Sequence, residues 1–310
     1  MSTAHNPVQR ILVIAGPTAS GKTTFAHDFA IEYGGEIINA DSRQVYKFLD
    51  IGTAKPTYLQ QKQVQYHLLD LVTPEEVFTL GQFLYHANLA IREIRNRGKL
   101  PIIVGGSGQY IHGLVNGWNP PAVSPDISLR ANLNSLTIEE LQNRLKAVDP
   151  VSATKIHPNN IRRVIRALEV YYTLGRPFSS FQTPDKTSNK FMNICVEVDQ
   201  TTLHQQIDQR IEDMLVRGWK TEIQALLNSG YSASDSGFSS LGYRNLIDVI
   251  QGRASMETAV ASIQIQTKQL ARRQKQWFTA RRFEIASKRV DDIDIESLYN
   301  DLARGTGAIT

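Results

Sequence analysis

AGPTASGKTTF, residues Ala15–Phe25, carries the spacing that decides the fold. Gly16, four residues (Pro17, Thr18, Ala19, Ser20), then Gly21, Lys22 and Thr23 make G-x-x-x-x-G-K-[ST], the phosphate-binding P-loop. The apolar run RILVIAG before it reads as a buried strand, and a helix is expected from near Gly21 to about Tyr33. That setting is what the chemistry needs. In a P-loop the backbone N–H groups turn inward on phosphate oxygens, and the helix N-terminus adds positive potential. Lys22 would neutralise the terminal phosphate and Thr23 would offer its hydroxyl to Mg²⁺. The grip is on phosphates, so the motif alone does not choose between a nucleoside triphosphate and another diphosphate.

Working outward, EIINA and YHLLDLV read as further strands. LPIIVGG is another, followed by the glycine turn GGSGQY. Between them, Thr79 and Gln82 form a capping box for a helix to about Arg97. Strands alternating with helices predict an α/β fold, a P-loop NTPase-like parallel sheet flanked by helices. After Trp118 the pattern breaks at NPPAVSPD and turns helical from the Thr137/Glu140 capping box to about Gly175. SSFQTPDKTSNK reads as a loop, and the sheet returns at FMNICVEVD. The expected organisation is a core over 1–117, a mostly helical insertion over 118–190, and the rest of the core over 191–310. A long basic helix is expected from about Met256 to Arg282. The tail after about Val290 carries no readable signal.

The 310 residues are 41% apolar and 21% charged, ordinary for a soluble globule. The single cysteine, Cys195, excludes an intrachain disulfide and reads as a small core residue in a reducing compartment. The seven histidines form no H-E-x-x-H pattern. No run is long and apolar enough for a membrane span, and MSTAHNPVQR lacks a signal-peptide core, so a cytoplasmic location is expected. The net charge of +4 is unevenly placed: Lys268–Arg289 holds eight positive residues against Glu284 alone. Local basicity of that kind points to a polyanion surface. Asp41 and Asp70 are the acidic candidates for the phosphate site. Asp41 is better placed, because a strand beside the P-loop strand would deliver it at the carboxyl edge of the sheet.

Seven motifs in order then identify a resemblance. GPTASGKT, NADSRQVY, DIGTAKP, PIIVGGSGQY, IHPNNIRRVIRALEV, LGYRNL and RRQKQWF make the chain, over about Ile11–Phe278, similar to the tRNA dimethylallyltransferases. The resemblance implies that the P-loop grips dimethylallyl diphosphate and that the partner is tRNA, through its anticodon stem-loop. The five-carbon group would pass to N6 of the adenine 3′-adjacent to the anticodon, with Mg²⁺ as cofactor. It implies a diphosphate cradle over Gly16, Pro17, Thr18, Ala19, Ser20, Gly21, Lys22 and Thr23, with Thr23 toward the metal. Arg244 of LGYRNL would add charge to the leaving group, and Asp41 would act as general base. Ser42, Arg43 and Gln44 would position the base. Ser107, where the family usually has threonine, would contact tRNA, as would Arg130 and the run Arg162, Arg163, Val164, Ile165 and Arg166. For the arginines of that run the residues alone leave a solvated helix face paired with Glu169 as the alternative. Trp277 and Phe278 are read as core anchors, and Tyr46 and Tyr110 as either channel or core.

Three positions depart from the family pattern. Asn160 stands for aspartate, Gln109 for an apolar residue, and in the last helix Lys268 replaces arginine while Lys275-Gln276 interrupts the usual run. None touches the P-loop or Asp41. A small-molecule kinase would explain the P-loop but not the arginine-rich insertion, and an RNA-binding module would leave the P-loop without purpose. Nothing in the sequence demands a dimer, so a monomer is expected.

Overall fold

Arg10–Gly16 does form a buried strand, β1 (Ile11–Ala15), in a computed structural model that describes residues 10–121, 123–181, 190–279 and 286–304. The first nine residues, most of the SSFQTPDKTSNK loop, and Arg281 and Arg282 lie outside the described residues. β1 runs through the P-loop into α1 (Lys22–Tyr33) and β2 (Gly35–Asn39). Then come α2 (Tyr58–Gln63), β3 (Tyr66–His67), α3 (Leu80–Asn96), β4 (Leu100–Gly105) and α4 (Gly108–Val115). Later in the chain, β5 (Phe191–Val196) and β6 (Ala286–Lys288) complete a six-stranded sheet in the order β3-β2-β4-β1-β5-β6. Every neighbouring pair is parallel. The capping boxes at Thr79/Gln82 and Thr137/Glu140 are both formed. YHLLDLV keeps only two ladder residues, because Leu68 and Asp70 adopt positive φ (64° and 55°) and turn the chain away.

The chain divides into two compact units, Met1–Leu114 with Ser188–Thr310, and Val115–Thr187. The second unit holds α5 (Ile127–Asn134), α6 (Ile138–Val148), α7 (Pro150–Lys155) and α8 (Ile161–Leu174). Its core joins Leu133, Leu141, Leu145, Val164, Ile165 and Leu168. Buried beside them is the carboxylate of Glu169, 0% exposed. It takes a two-pronged grip from Arg130 (2.7 and 2.8 Å), a bond from Arg166 (2.6 Å), and the Asp126 N–H (2.9 Å). Burial pushes its carboxyl up, but the bonds from Arg130 and Arg166 outweigh that and hold it below the ordinary value.

In the larger unit the strand period of two sets the layers. Leu12 and Ile14, in register with Ile102 and Val104 on one side and Met192 and Ile194 on the other, share a face. α1 covers that face with Phe25, Ala26, Phe29 and Ala30. α9 (Gln200–Val216), α10 (Trp219–Asn228), α11 (Tyr243–Ile250) and α12 (Met256–Thr279) build a second core with Val45, Tyr46 and Leu49. α13 (Ile295–Arg304) closes the chain. The tail is therefore not without structure. Leu298 and Leu302, one turn apart, enter the sheet core, and Tyr299 stacks on Tyr33 at 4.3 Å.

At the amino-terminal end of β2, Glu36 is 2% exposed. Arg97 grips it at 2.7 and 3.2 Å, His67 at 2.7 Å and Lys99 at 3.2 Å. Burial raises its pKa, but the bonds from Arg97, His67 and Lys99 more than offset this and hold it at about 2. With the folded value depressed, the stabilisation is present above about 4.5 and is lost as pH falls through about 2. Glu36→Gln should lower stability at pH 7 by about 1–3 kcal/mol in urea unfolding. The gap from wild type should narrow steadily as the pH is taken from 4.5 toward 2.

Candidate active site

The carboxyl ends of β1, β2, β4 and β5 meet at one edge of the sheet, and four loops leave from there. From β1 comes the P-loop. A Cβ at Gly16 would lie 3.1 Å from the Val196 carbonyl and from Ser20 Oγ, so the loop can hug β5 only with glycine there. The Ser20 hydroxyl is buried in the loop with no protein partner. Lys22 is 8% exposed and donates to the Pro17 carbonyl at 3.0 Å. Burial, then the positive charge of Arg210, pulls its pKa down to about 8, with Asp41 and Cys195 acting in the opposite direction. Cys195 itself is a core residue whose thiol burial pushes up to about 11.

From β2 comes Asp41, set by its neighbours. Its N–H donates to Asn39 Oδ1 (3.2 Å), and its Oδ1 accepts the Arg43 N–H (2.8 Å). From β4 comes the glycine turn. A Cβ at Gly105 would fall 2.1 Å from the Ala40 carbonyl oxygen, so the two strand ends touch backbone to backbone. Ser107 seals this contact. Its N–H donates to Ala40 O (3.2 Å) and its hydroxyl accepts the Ser42 N–H (3.0 Å).

These loops open onto a cavity of about 280 Å³ whose walls include Thr18, Asp41, Ser42, Arg43, Gly106 and Ser107. Two further wall residues went unnoticed in the sequence. Gln274, on α12, accepts the Thr18 N–H (2.8 Å) and donates to Gly106 O (3.1 Å), bolting the basic helix to both glycine loops. Arg210, on α9, completes the wall, and its position follows from the face of α9 that buries Ile207 and Ile211. The only sequence signal for Gln274 was its place in RRQKQWF. For Arg210 there was none.

The DIGTAKP loop lines the cavity through Gly52 and Thr53. Glu222 holds it by accepting the N–H groups of Asp50 (2.8 Å) and Ile51 (2.7 Å) and the Tyr243 hydroxyl (2.7 Å). Lys55, 6% exposed, is bonded to Asp50, to Asp70 and to the Tyr46 carbonyl, so Asp70 is a loop anchor rather than part of the phosphate site.

Other sequence-named residues land elsewhere. Arg244 is exposed on the first turn of α11 and is not part of the cavity wall, because Tyr243, Leu246 and Ile247 take the buried face. Gln44 spends its amide on the carbonyls of Thr53 and Ala54 (3.0 Å each), which fixes the loop and leaves its side chain off the wall. In the second unit, Val164 and Ile165 are 1% and 4% exposed and point into the core, as helical spacing requires for residues between Arg163 and Arg166. Arg130 and Arg166 are held by Glu169, while Arg163 is exposed and Arg162 is exposed beside it. Lys268 pairs with Asp208 (2.7 Å). Phe278 is buried and Trp277 packs over Gly108, so both anchor α12. Tyr46 and Tyr110 are buried, with Tyr110 stacked on Phe83 at 4.2 Å.

Comparisons with known proteins agree with one another. The family model described as IPP transferase matches residues 44–282. The tRNA dimethylallyltransferase of Roseiflexus castenholzii is 42% identical over 272 residues, covering 86% of this chain and 89% of its own. That of Pelotomaculum thermopropionicum is 36% identical over 99% of both chains. Among solved structures, the full-length tRNA isopentenylpyrophosphate transferase of Bacillus halodurans superimposes with a TM-score of 0.69 at 32% identity, covering 96% of each chain. A eukaryotic dimethylallyltransferase acting on tRNA gives a TM-score of 0.82 at 26% identity, over 97% of this chain and 81% of that one. The family model spans more than half of the chain and the relatives are 36–42% identical over most of it, so the chain belongs to the tRNA dimethylallyltransferase (IPP transferase) family.

Proposed function

We propose that this protein transfers the dimethylallyl group of dimethylallyl diphosphate to tRNA, at N6 of the adenine 3′-adjacent to the anticodon, and releases diphosphate. Family membership supports the reaction. The structural observation that carries it is one cavity shared by the P-loop residue Thr18 and the carboxylate of Asp41. A phosphate grip and a proton acceptor on the same wall suit a reaction that expels diphosphate while an amine attacks.

The attack of N6 on the allylic carbon forms a C–N bond as the C–O bond breaks, and the electron pair leaves on diphosphate. Positive charge grows on carbon and negative charge on the departing oxygens. Lys22 and the P-loop N–H groups are already fixed where that negative charge appears, so they favour the transition state over the ground state. Thr18 is on the cavity wall, and its N–H is held by the Gln274 carboxamide. The adenine amine is a poor nucleophile because its lone pair is delocalised, and Asp41 takes its proton. Its Oδ1 is occupied by Arg43 N–H, which orients the group, and among the described residues no donor bonds its other oxygen. Ser42, Arg43 and Ser107 remain as wall residues for the base, and Arg43 is steadied by Ser239 (2.8 Å). The target base must leave its stack to enter the cavity, which a flexible anticodon loop makes easier.

The donors present suit Mg²⁺. Thr23 and the unpartnered Ser20 offer hard hydroxyl oxygens, and among the described residues no cluster of three or more His, Cys, Asp or Glu could hold a metal alone. Thr23 would hold the ion, with diphosphate and water oxygens supplying the rest of its shell. Bound there, it supplies Lewis-acid neutralisation of the leaving group.

Action as a monomer is part of this proposal, and the native mass of the protein in solution tests it. Among the described residues no helix is long and apolar enough to cross a membrane. A single buried thiol suits the cytoplasm, which is the proposed location.

Incubation of tRNA with the protein, Mg²⁺ and dimethylallyl diphosphate should yield a prenylated adenosine by nucleoside mass analysis, and ATP should not substitute. ATP turnover unaffected by the allyl diphosphate would instead mark a kinase. Asp41→Asn should slow single-turnover transfer by about 10²- to 10⁴-fold with little change in diphosphate affinity. Because Lys22 binds anions only while protonated, diphosphate affinity should fall as pH rises through about 8, the folded pKa of that group. Lys22→Met should flatten that dependence. Finally, Arg162→Ala with Arg163→Ala should lower tRNA affinity and shrink its salt dependence at unchanged stability. Arg166→Ala, which removes one of the two arginines on buried Glu169 while Arg130 still grips it, should cost about 1–3 kcal/mol in denaturation.

A further inference from the structure

A row of aromatic rings leads from the cavity wall to the surface. Tyr110 lies one turn past the wall residue Ser107, whose carbonyl accepts its N–H (2.9 Å). The Tyr110 ring stacks on Phe83 (4.2 Å) and meets Phe78 edge-on (6.5 Å). Phe78 and His86 are near parallel, with centroids 6.3 Å and planes 25° apart, and His86 meets Tyr85 edge-on at 5.2 Å. Burial falls along the row. Tyr110 is 7% exposed, Phe78 and His86 are half-buried, and Tyr85 is 64% exposed. The topology puts the outer rings on the right side of the sheet. α3 ends at Asn96 and β4 begins at Leu100 after a short turn, so the first turns of α3 lie back at the carboxyl edge, where the cavity opens. α3 spends Phe83, Leu84, Ala87, Ala90, Ile91 and Ile94 on the core and leaves Tyr85 off that face. From Leu71 to Ile91 the only formal charges are Glu75 and Glu76. Glu76 is occupied by Thr73, whose N–H (2.7 Å) and hydroxyl (2.8 Å) it accepts. A stretch with rings and no lysine or arginine is unsuited to phosphates and suited to the flat face of a base.

We infer that Tyr85 and His86 stack on a base of the tRNA beside the extruded adenine. This rests on the proposed function, which takes that adenine out of its stack. When it turns into the cavity, each of its two neighbours loses a stacking partner. A ring face at the rim replaces one of those partners and so favours the extruded state over the stacked one. Every base has a π-face, so the contact adds affinity with little preference for sequence. It also differs in kind from the contacts of the exposed Arg162 and Arg163, because stacking releases no counterions. Ser107 links the two ends of this arrangement. Its hydroxyl accepts the Ser42 N–H next to Asp41, and its carbonyl starts the helix that carries Tyr110, the inner end of the row.

The test is equilibrium binding of the full chain to anticodon stem-loops that carry 2-aminopurine, which fluoresces when unstacked, at the position 5′ or 3′ to the target adenine. In the wild-type complex the reporter on one side should stay quenched although the adenine has left the stack. Tyr85→Leu with His86→Leu keeps apolar bulk and removes the rings. It should release that fluorescence and weaken binding by about 5- to 100-fold, the range of a base–aromatic stack. The slope of log affinity against log salt should be unchanged, whereas Arg162→Ala with Arg163→Ala shrinks it. Diphosphate affinity should also be unchanged. Tyr85→Phe with His86→Phe, which keeps both rings, should bind as wild type does. Tyr85→Leu alone, at an exposed position, decides the matter if the double variant does not fold. Wild-type tRNA affinity in the leucine variant, a reduced salt slope there, or a reporter equally bright in wild type and variant at both positions would overturn this inference alone. A wild-type protein that neither binds nor prenylates tRNA would overturn the proposed function and this inference with it.

Discussion

The site depends on one backbone contact, the approach of Gly105 to the Ala40 carbonyl at the ends of β4 and β2. Parallel strands deliver their loops to a common edge, but that edge becomes a site only when two loops are locked together. Here the lock is made of N–H groups and a hydroxyl: Ser107 bonds Ala40 and Ser42 on either side of Asp41. Any side chain at residue 105 would separate the strand ends and release Asp41 from its setting. With Oδ1 bonded to the Arg43 N–H, the Asp41 carboxylate makes no ion pair with Lys22 or Arg210 among the described residues.

The surrounding loops are held by buried charge used structurally. Glu222 gathers the N–H groups of Asp50 and Ile51 along with the Tyr243 hydroxyl, and Lys55 gathers Asp50, Asp70 and the Tyr46 carbonyl. These contacts tie the DIGTAKP loop to DSRQVY in the fold. Gln44 of one bonds the carbonyls of the other. Conspicuous motif residues can thus be scaffold, while the cavity wall is completed by residues outside any motif's obvious chemistry. Gln274 extends the same scheme to the basic helix, which is attached to the phosphate loop by a neutral amide rather than by one of its many cations.

The arginines show how charge alone misleads. Read on a helical wheel, Arg162, Arg163 and Arg166 form one basic surface. In the folded second unit the buried Glu169 divides them, drawing in Arg166 together with Arg130 from another helix. A charged residue that satisfies a buried carboxylate has a stability role first, and what remains of its exposure decides whether it can also meet a phosphate.

The sequence by itself determined the strand–P-loop–helix start, the parallel sheet, the capping boxes and the placement of Asp41 at the sheet edge, because these follow from local spacing and period. The short β6 and α13 escaped it. Three ladder residues carry no pattern, and the apolar stripe of Ile295, Leu298 and Leu302 was too short to stand out. Only the tertiary structure decided which arginine faces the phosphate loop. Arg244 sits in a recognisable motif but turns outward because its neighbours claim the core. Arg210 sits in none, and is carried to Asp41 by the packing of α9. Local sequence specifies the direction of a side chain on its own helix, but the group it then confronts is set by elements far away in the chain.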